Sequence, residues 1–548
     1  MNYLKIQITL FFHFNHTSLC INFGKYGYYF HLILYLCIFL FRKFMEKLIL
    51  FFFTLYTLLL FVIMWFTSRR ATNSTYFTGN RKSPWFVVAY GMIGASLSGV
   101  TFMSVPGDVA NIQFTYFGVV LGYILGYIAI AYILLPIYYK HNVTSIYEIL
   151  SFRLGTHARK TGSAFFIISR LLGSALRMYL VIYVLQIFVF DAWHIPIWVT
   201  SLIMIIIILL YTYRGGIKTV VWTDTLQTTF MLLTLIITIS VIINELNMPL
   251  AHIWSEMQSA GYTKVFETDW HLPNYFVKQI ISGMFITIVM TGLDQDMMQK
   301  NLTCKNLRDA QRNMLTFSGI LVIANALFLF LGAMLLVYSS HRGIDISSFI
   351  SSHQTDRIYP EIVFHSLGTF TAIIFIIGLI SAGYSSADGT LTALTTSICF
   401  DFINIDKICS SEKKKVLLRR LIHLGVASLF FFTILFFSQH HNKALITIIF
   451  NVASYTYGPI LGLFVFCIYT HREIVNTCWI PVIAILSPTL SYFLSHYSKE
   501  LFWGYQFGFE LLIINGLFTF LGLLLISRKG NCNKLKIYSD EENDSAKI

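Results

Sequence analysis

The chain has 548 residues, of which 56% are hydrophobic and only 12% charged, with a formal net charge of +13. Apolar stretches of about 20 residues recur along its length, which excludes a soluble globular protein and makes this an all-α polytopic membrane protein. The basic residues fall in particular loops and not on one amphipathic module, so membrane topology accounts for them and no nucleic-acid partner is expected. Eight scattered cysteines (Cys20, Cys37, Cys304, Cys399, Cys409, Cys467, Cys478 and Cys532) form no C-x-x-C pair, and no His cluster has metal spacing. With no nucleophile–base pair or metal motif in sight, an enzyme is not expected either.

Residues 1–44 are rich in Phe, Tyr, Ile, Leu and His without a clear span pattern, whereas Met45-Glu46-Lys47 leads into an apolar run ending at Phe66. Met45 is therefore read as the true start. The rival readings are a short extra span around Phe30–Phe41, or a signal peptide, for which no small-residue cleavage site is found. From Met45 onward, hydropathy predicts about 13 spans: 46–66, 84–105, 117–139, 163–189, 196–213, 219–245, 275–293, 313–339, 362–400, 416–438, 444–470, 477–496 and 507–527. The ninth is too long for a straight crossing and should include a helical lead-in.

The connections then sort by charge. One side collects Arg69, Arg70, Arg81 and Lys82; Lys140, Arg153, Arg159 and Lys160; Arg214 and Lys218; Lys300, Lys305, Arg308 and Arg312; and Lys407, Lys413, Lys414, Lys415, Arg419 and Arg420. By the positive-inside rule this is the cytoplasmic side. The opposite loops carry Asp108, Asp191, Glu245, Glu256, Glu267 and Asp269. An odd number of spans places Met45 outside and the tail 528–548 in the cytoplasm, where its acidic Asp540-Glu541-Glu542 run predicts disorder.

Two spans are interrupted by small and hydroxylated residues, Gly94-Ala95-Ser96-Leu97-Ser98-Gly99 and Ser381-Ala382-Gly383-Tyr384-Ser385-Ser386-Ala387-Asp388-Gly389. Inside a bilayer such helix is tolerated only against protein or a watery cavity, so each run points to a polar site at membrane depth. Loosened carbonyls and hydroxyls are the hard oxygens a small cation needs. The alternative is that the small residues merely let helices pack closely.

Further motifs follow in order: Phe77-Thr78-Gly79-Asn80-Arg81, then Ser104-Val105-Pro106-Gly107 at the end of the interrupted span, then Arg214-Gly215-Gly216 through Asp224 to Gln227. Asp294-Gln295 comes next, with Gln299-Lys300 and Ala310-Gln311-Arg312 behind it, and Ser385-Ser386 precedes Asp401. With these motifs the chain resembles the solute:sodium symporter family from Phe77 to about Leu463. The resemblance implies a LeuT-type fold: a 5+5 inverted repeat core with one extra helix before and two after. The organisation would be a 1–44 extension, a first span and loop at 45–83, the core at 84–470, two further spans at 471–527, and the tail 528–548.

The same resemblance implies a co-transported sodium ion, held by the carbonyls of Gly94, Leu97 and Ala382 and the hydroxyls of Ser385 and Ser386. Ala382, Ser385 and Ser386 stand at i, i+3 and i+4, on one helix face. Some members carry a second sodium site, and the matching positions here are Asp224 and Asp388 with Gly389. Asp388 and Gly389 depart from the hydroxyl pattern there, so Asp388 is open to three roles: an ion ligand, a proton carrier, or a partner of Arg170 or Arg177. For Asp224 the alternative is a helix-start cap at the cytoplasmic interface.

The substrate cavity is expected to be lined by Ser96, Ser98 and Thr101, by Thr287, Thr291 and Asp294, and by Gln113, Tyr455 and Tyr457. Sugar-transporting members carry an Asn and a Tyr-Trp pair where this chain has Thr287 and Met290-Thr291, which argues against a neutral hexose. Arg170 and Arg177, seven residues apart within one span, offer a guanidinium for a carboxylate. The expected function is thus import of a small organic anion, a monocarboxylate or sialic-acid-like solute, with sodium, across the plasma membrane. Open alternatives are a transporter-like solute sensor, a neutral sugar or polyol, or proton coupling. Alternatively, the arginines pair with Asp224 or Asp388 or snorkel to the cytoplasmic face. The partners implied are the solute, sodium and the lipid bilayer, with no obligatory protein partner.

Overall fold

A computed structural model describes residues 48–69, 71–352, 354–439 and 445–529. The expectations for Met45, the 1–44 extension and the acidic tail lie outside these residues. The chain divides at Phe52, and residues from Phe53 onward form the compact unit that contains the core and the candidate site.

Among the described residues, ten helices are long and apolar enough to cross a membrane, and two bent pairs make two more crossings. In chain order these are α1 (Leu48–Ser68), the pair α2 (Trp85–Ser96) and α3 (Gly99–Ile112), α4 (Phe117–Lys140), α5 (Glu148–Phe190), α6 (Ile197–Gly215) and α7 (Ile217–Leu246). After the bent pair α8 (Phe276–Gly292) and α9 (Gln295–Asn301) come α10 (Leu307–Arg342), α11 (Gly368–Ile403), α12 (Glu412–Gln439), α13 (Leu445–Tyr469) and α14 (Trp479–His496). The last expected span is the 15-residue helix α15 (Leu511–Leu525), shorter than a bilayer crossing ordinarily takes. Among the described residues up to 12 crossings are counted by length and composition, and a thirteenth is not confirmed.

Each set of five in the core opens on a broken helix, α2–α3 in the first and α8–α9 in the second. The first break follows from two residues that leave helical geometry: Leu97 at ψ 57° and Ser98 at ψ 176°, giving a bend of 55°. The second runs through a widened π-helical turn, Ile288–Gly292, and bends by 69°. Asp294 then caps α9 by accepting from the Met297 N–H at 3.2 Å.

The core centres on α11, where every residue from Thr371 to Ser397 except Ile374 is buried. Its small residues admit α7 closely, and the Thr234 hydroxyl donates across that seam to the Ile374 carbonyl at 2.9 Å. The expected lead-in to this span is present as the short helix Ile358–Ser366, which Gly368 separates from α11 by adopting a φ of 79°. One feature was not anticipated. Arg472–Ile474 and Ser527–Lys529 form an antiparallel two-stranded ribbon, so the first residues of the presumed disordered tail are ordered.

Candidate functional site

The break in α2–α3 lies against α7 and α11. The Gly94 N–H donates to the Thr228 hydroxyl of α7 at 3.0 Å. A methyl group on Gly94 would stand 2.4 Å from that oxygen and 3.3 Å from Ser385 Oγ, so the backbone of α2 is in contact with both neighbours. Ala382, Ser385 and Ser386 are fully buried, and the Ser386 hydroxyl donates to the Ala382 carbonyl at 3.1 Å. Ser385 donates to Asp224 Oδ1 at 2.8 Å. The five positions expected to hold sodium thus sit on two helices that meet at an unwound, uncharged turn.

Beside this turn runs a buried chain of charge. Lys300 Nζ stands 2.8 Å from Asp224 Oδ2 and 3.7 Å from Asp296 Oδ1. Asp296 also takes a very close contact from Arg170, whose other terminal nitrogen is 3.7 Å from Asp294 Oδ2. The Tyr457 hydroxyl donates to that same Asp294 oxygen at 2.5 Å. All of these side chains are buried, where an ion pair is costly unless its partners are well placed.

Several expectations change here. Lys300, grouped with the cytoplasmic loop bases, is 1% exposed, because the bend after α8 folds the seven-residue α9 back into the protein. Arg170 pairs with Asp294 and Asp296, not with Asp224 or Asp388. Asp294 is consequently an arginine partner and a helix cap, and it is not part of the cavity wall. Asp224 is no helix-start cap either, since α7 begins at Ile217 and Asp224 is fully buried within it. Asp388 accepts from the Tyr211 hydroxyl at 2.9 Å, from Thr223 at 3.4 Å, from the Gln227 amide at 3.5 Å and from the Gly389 N–H at 2.6 Å. Neither Arg170 nor Arg177 is its partner.

A cavity opens on the other side of the break. Of the residues expected at the substrate site, Ser96, Ser98, Thr101, Arg170, Arg177, Thr287 and Thr291 line it. Gln113, Tyr455 and Tyr457 do not; Tyr457 is used up on Asp294, and Tyr455 packs on Tyr492. Arg177 has no carboxylate partner among the described residues, and its Nε is buried without a hydrogen bond. The wall facing it includes Tyr116, Tyr123 and Tyr127, the first two with hydroxyls 3.0 Å apart. These tyrosines were missed, although the last two lie at i and i+4 on α4, and Tyr116 precedes Tyr123 by two turns. Asp296, the carboxylate shared by Arg170 and Lys300, was missed as well; its i, i+4 spacing from Lys300 was the available signal.

Residues 76–477 match the sodium:solute symporter family. The chain belongs to that family. It is 24% identical over 439 residues to the sodium/sialic acid symporter NanT of Aliivibrio fischeri, covering 78% of this chain and 84% of that one. A sodium-coupled monocarboxylate transporter 2 of Danio rerio is 25% identical over 408 residues, covering 72% of this chain and 63% of that one. The solved structure of a Na+-coupled sialic acid symporter, in a substrate-bound outward-open state, superposes with a TM-score of 0.75 over 89% of this chain and 99% of that one. At 20% identity this likeness establishes the fold: the symporter carries the LeuT-type core.

Proposed function

We propose that this symporter imports a small organic anion together with sodium, by alternating access. The observation that carries the anion is Arg177. Arg170 is neutralised by two aspartates, whereas Arg177 lines the cavity with no carboxylate of its own among the described residues, beside tyrosine hydroxyls. A planar guanidinium in that position grips a carboxylate bidentately. The named solutes of the relatives, sialic acid and monocarboxylates, share that group.

Sodium is cargo, coordinated by the carbonyls of Gly94, Leu97 and Ala382 and the hydroxyls of Ser385 and Ser386. The donor set suits it: hard, neutral oxygens on two helices, one of them unwound. Bound there, the ion ties the α2–α3 break to α11 and favours the state that accepts substrate, so both ligands bias one equilibrium. Each sodium entering down a potential of 100 mV releases ~2.3 kcal/mol, and a tenfold concentration gradient adds ~1.4 kcal/mol. The core spans 84–470, flanked by 45–83 and 471–527. The basic loops orient it with the C-terminal segment in the cytoplasm, and the membrane is the plasma membrane.

The test is uptake into proteoliposomes with and without an inward sodium gradient, using labelled sialic acid, short monocarboxylates and glucose. Gradient-dependent uptake of an acidic solute is expected, reduced by roughly 100-fold in Arg177→Gln, in line with loss of a doubly bonded charged contact. Arg177→Lys should recover little. Glucose uptake at the same rate would overturn the anion assignment, and uptake indifferent to sodium would overturn the coupling.

A further inference from the structure

Arg170 has two settings at once. It lines the substrate cavity, and it pairs closely with Asp296 and at 3.7 Å with Asp294, while its Nε is buried without a hydrogen bond. From Asp296 the charges continue step by step. Lys300 Nζ is 3.7 Å from Asp296 Oδ1 and 2.8 Å from Asp224 Oδ2, and Asp224 Oδ1 accepts from the Ser385 hydroxyl at 2.8 Å. A buried file of contacts thus runs from the cavity wall on α5, through α9 and α7, to a proposed sodium ligand on α11.

The charge count makes this file responsive. Among the described residues, Arg170 and Lys300 alone reach ion-pair distance of the four buried carboxylates Asp224, Asp294, Asp296 and Asp388. Two cations shared among more carboxylates cannot strengthen one contact without weakening another. Asp294 has other support from Tyr457 and the Met297 N–H, and Asp388 from Tyr211 and the Gly389 N–H. Asp296 is held by its two cations, and it stands outside both the cavity wall and the proposed ion ligands.

We propose that Asp296 is the positioning residue of a charge relay, through which a carboxylate in the cavity raises the affinity of the sodium site. The inference rests on the anion and sodium readings above. An anionic solute draws the Arg170 guanidinium toward the cavity; Asp296 then leans on Lys300, and Lys300 loosens its hold on Asp224. The less neutralised Asp224 lies beside Ser385, so the surroundings of the ion become more negative and sodium binds more tightly. By reciprocity sodium tightens the acid to the same degree. The path is a contiguous set of contacts whose two ends each ligand biases, which is the physical requirement for such coupling.

The experiment is equilibrium binding of radiolabelled sodium to the purified full-length protein, repeated with saturating lactate, sialic acid or glucose, the bound solute being counted in parallel. In the wild-type chain the acid that binds should lower the sodium dissociation constant by about tenfold, within the range usual for coupled sites. Glucose should leave it unchanged. Asp296→Asn should fold, since Lys300 keeps Asp224 and Arg170 keeps Asp294, and should still bind the acid while its sodium constant moves by less than about twofold. Asp296→Glu keeps the charge and should keep the tightening. An undiminished shift in Asp296→Asn would overturn the relay. So would loss of the shift in Asp296→Glu, or a wild-type chain that binds sodium and acid independently. Binding of neither acid would instead overturn the anion reading, and absence of saturable sodium binding the symport reading, so the three failures are told apart.

Discussion

At its bend the α2–α3 pair presents Gly94, Leu97 and Ser98, none of them ionisable, and Gly94 lies against Ser385 of α11. The equivalent bend in the second repeat carries Asp294 and Asp296, with Lys300 a turn further along α9. The same backbone device, a broken helix at membrane depth, is thus used once with neutral oxygens and once with fixed charge. Neutral oxygens suit an ion that must leave again. Fixed ion pairs suit an element that must stay where it is, because separating them in the protein interior is costly. The fold supplies two breaks, and on the proposed sodium reading the neutral one carries cargo while the charged one braces it.

The sharpest way to break this contrast is to remove charge from the bracing side. Arg170→Gln leaves Asp294 and Asp296 without their shared guanidinium, and losing one member of a buried pair costs about 3–5 kcal/mol. The folded, detergent-stable yield measured by size-exclusion chromatography should collapse. Combining it with Asp296→Asn should restore the yield, because Lys300 keeps Asp224 and Tyr457 still bonds Asp294. If Arg170→Gln alone folds normally but loses anion uptake, the bracing role is wrong and Arg170 belongs with Arg177.

On the cargo side the effects should be smaller and confined to sodium. Ser385→Ala and Ser386→Ala each delete one neutral oxygen, worth about 1 ± 0.5 kcal/mol as a hydrogen-bond-scale contact, or up to roughly tenfold in sodium half-saturation. Yield should hold. Sodium activation unchanged in both variants would remove α11 from the ion site.

The two breaks were unequally legible in the sequence. The first was readable because Gly94 to Gly99 is a run of small and hydroxylated residues in an apolar span, and the family motifs align Ser385 and Ser386 with it. The second was not, because α9 is only seven residues long and its lysine looks like any loop base. Hydropathy averages over about 20 residues and cannot register a short charged helix folded back inside the protein. Apart from Asp296 with Lys300, the ion pairs join residues far apart in the chain, such as Asp224 with Lys300, and sequence spacing carries no trace of such pairing. The ribbon of Arg472–Ile474 with Ser527–Lys529 was hidden for the same reason. The tyrosine wall of the cavity was visible as a periodicity on α4 but had no chemistry attached to it until Arg177 was found opposite.

The smallest effect separates position from packing. A methyl group at Gly94 would sit 2.4 Å from Thr228 Oγ1, and one at Gly378 would sit 2.3 Å from Thr234 Oγ1, so the two alanine variants impose nearly the same overpacking on α7. Strain of that kind costs about 1–3 kcal/mol, and both variants should lower the thermal transition by similar amounts. Their sodium responses should differ. Gly378 lies about two turns from Ser385 on α11, and the strain it generates is met by the Thr234 side chain, which is hydrogen-bonded along that seam. Gly94 contributes a proposed ion carbonyl, and its own N–H is bonded to the threonine that would have to move. Gly94→Ala should therefore raise the sodium half-saturation by a few-fold, while Gly378→Ala leaves it unchanged, measured by sodium-dependent protection against thermal unfolding. Equal sodium shifts in the two variants would mean that α7 and α11 transmit strain as one body. The neutral break would then owe its sodium sensitivity to packing and not to coordination.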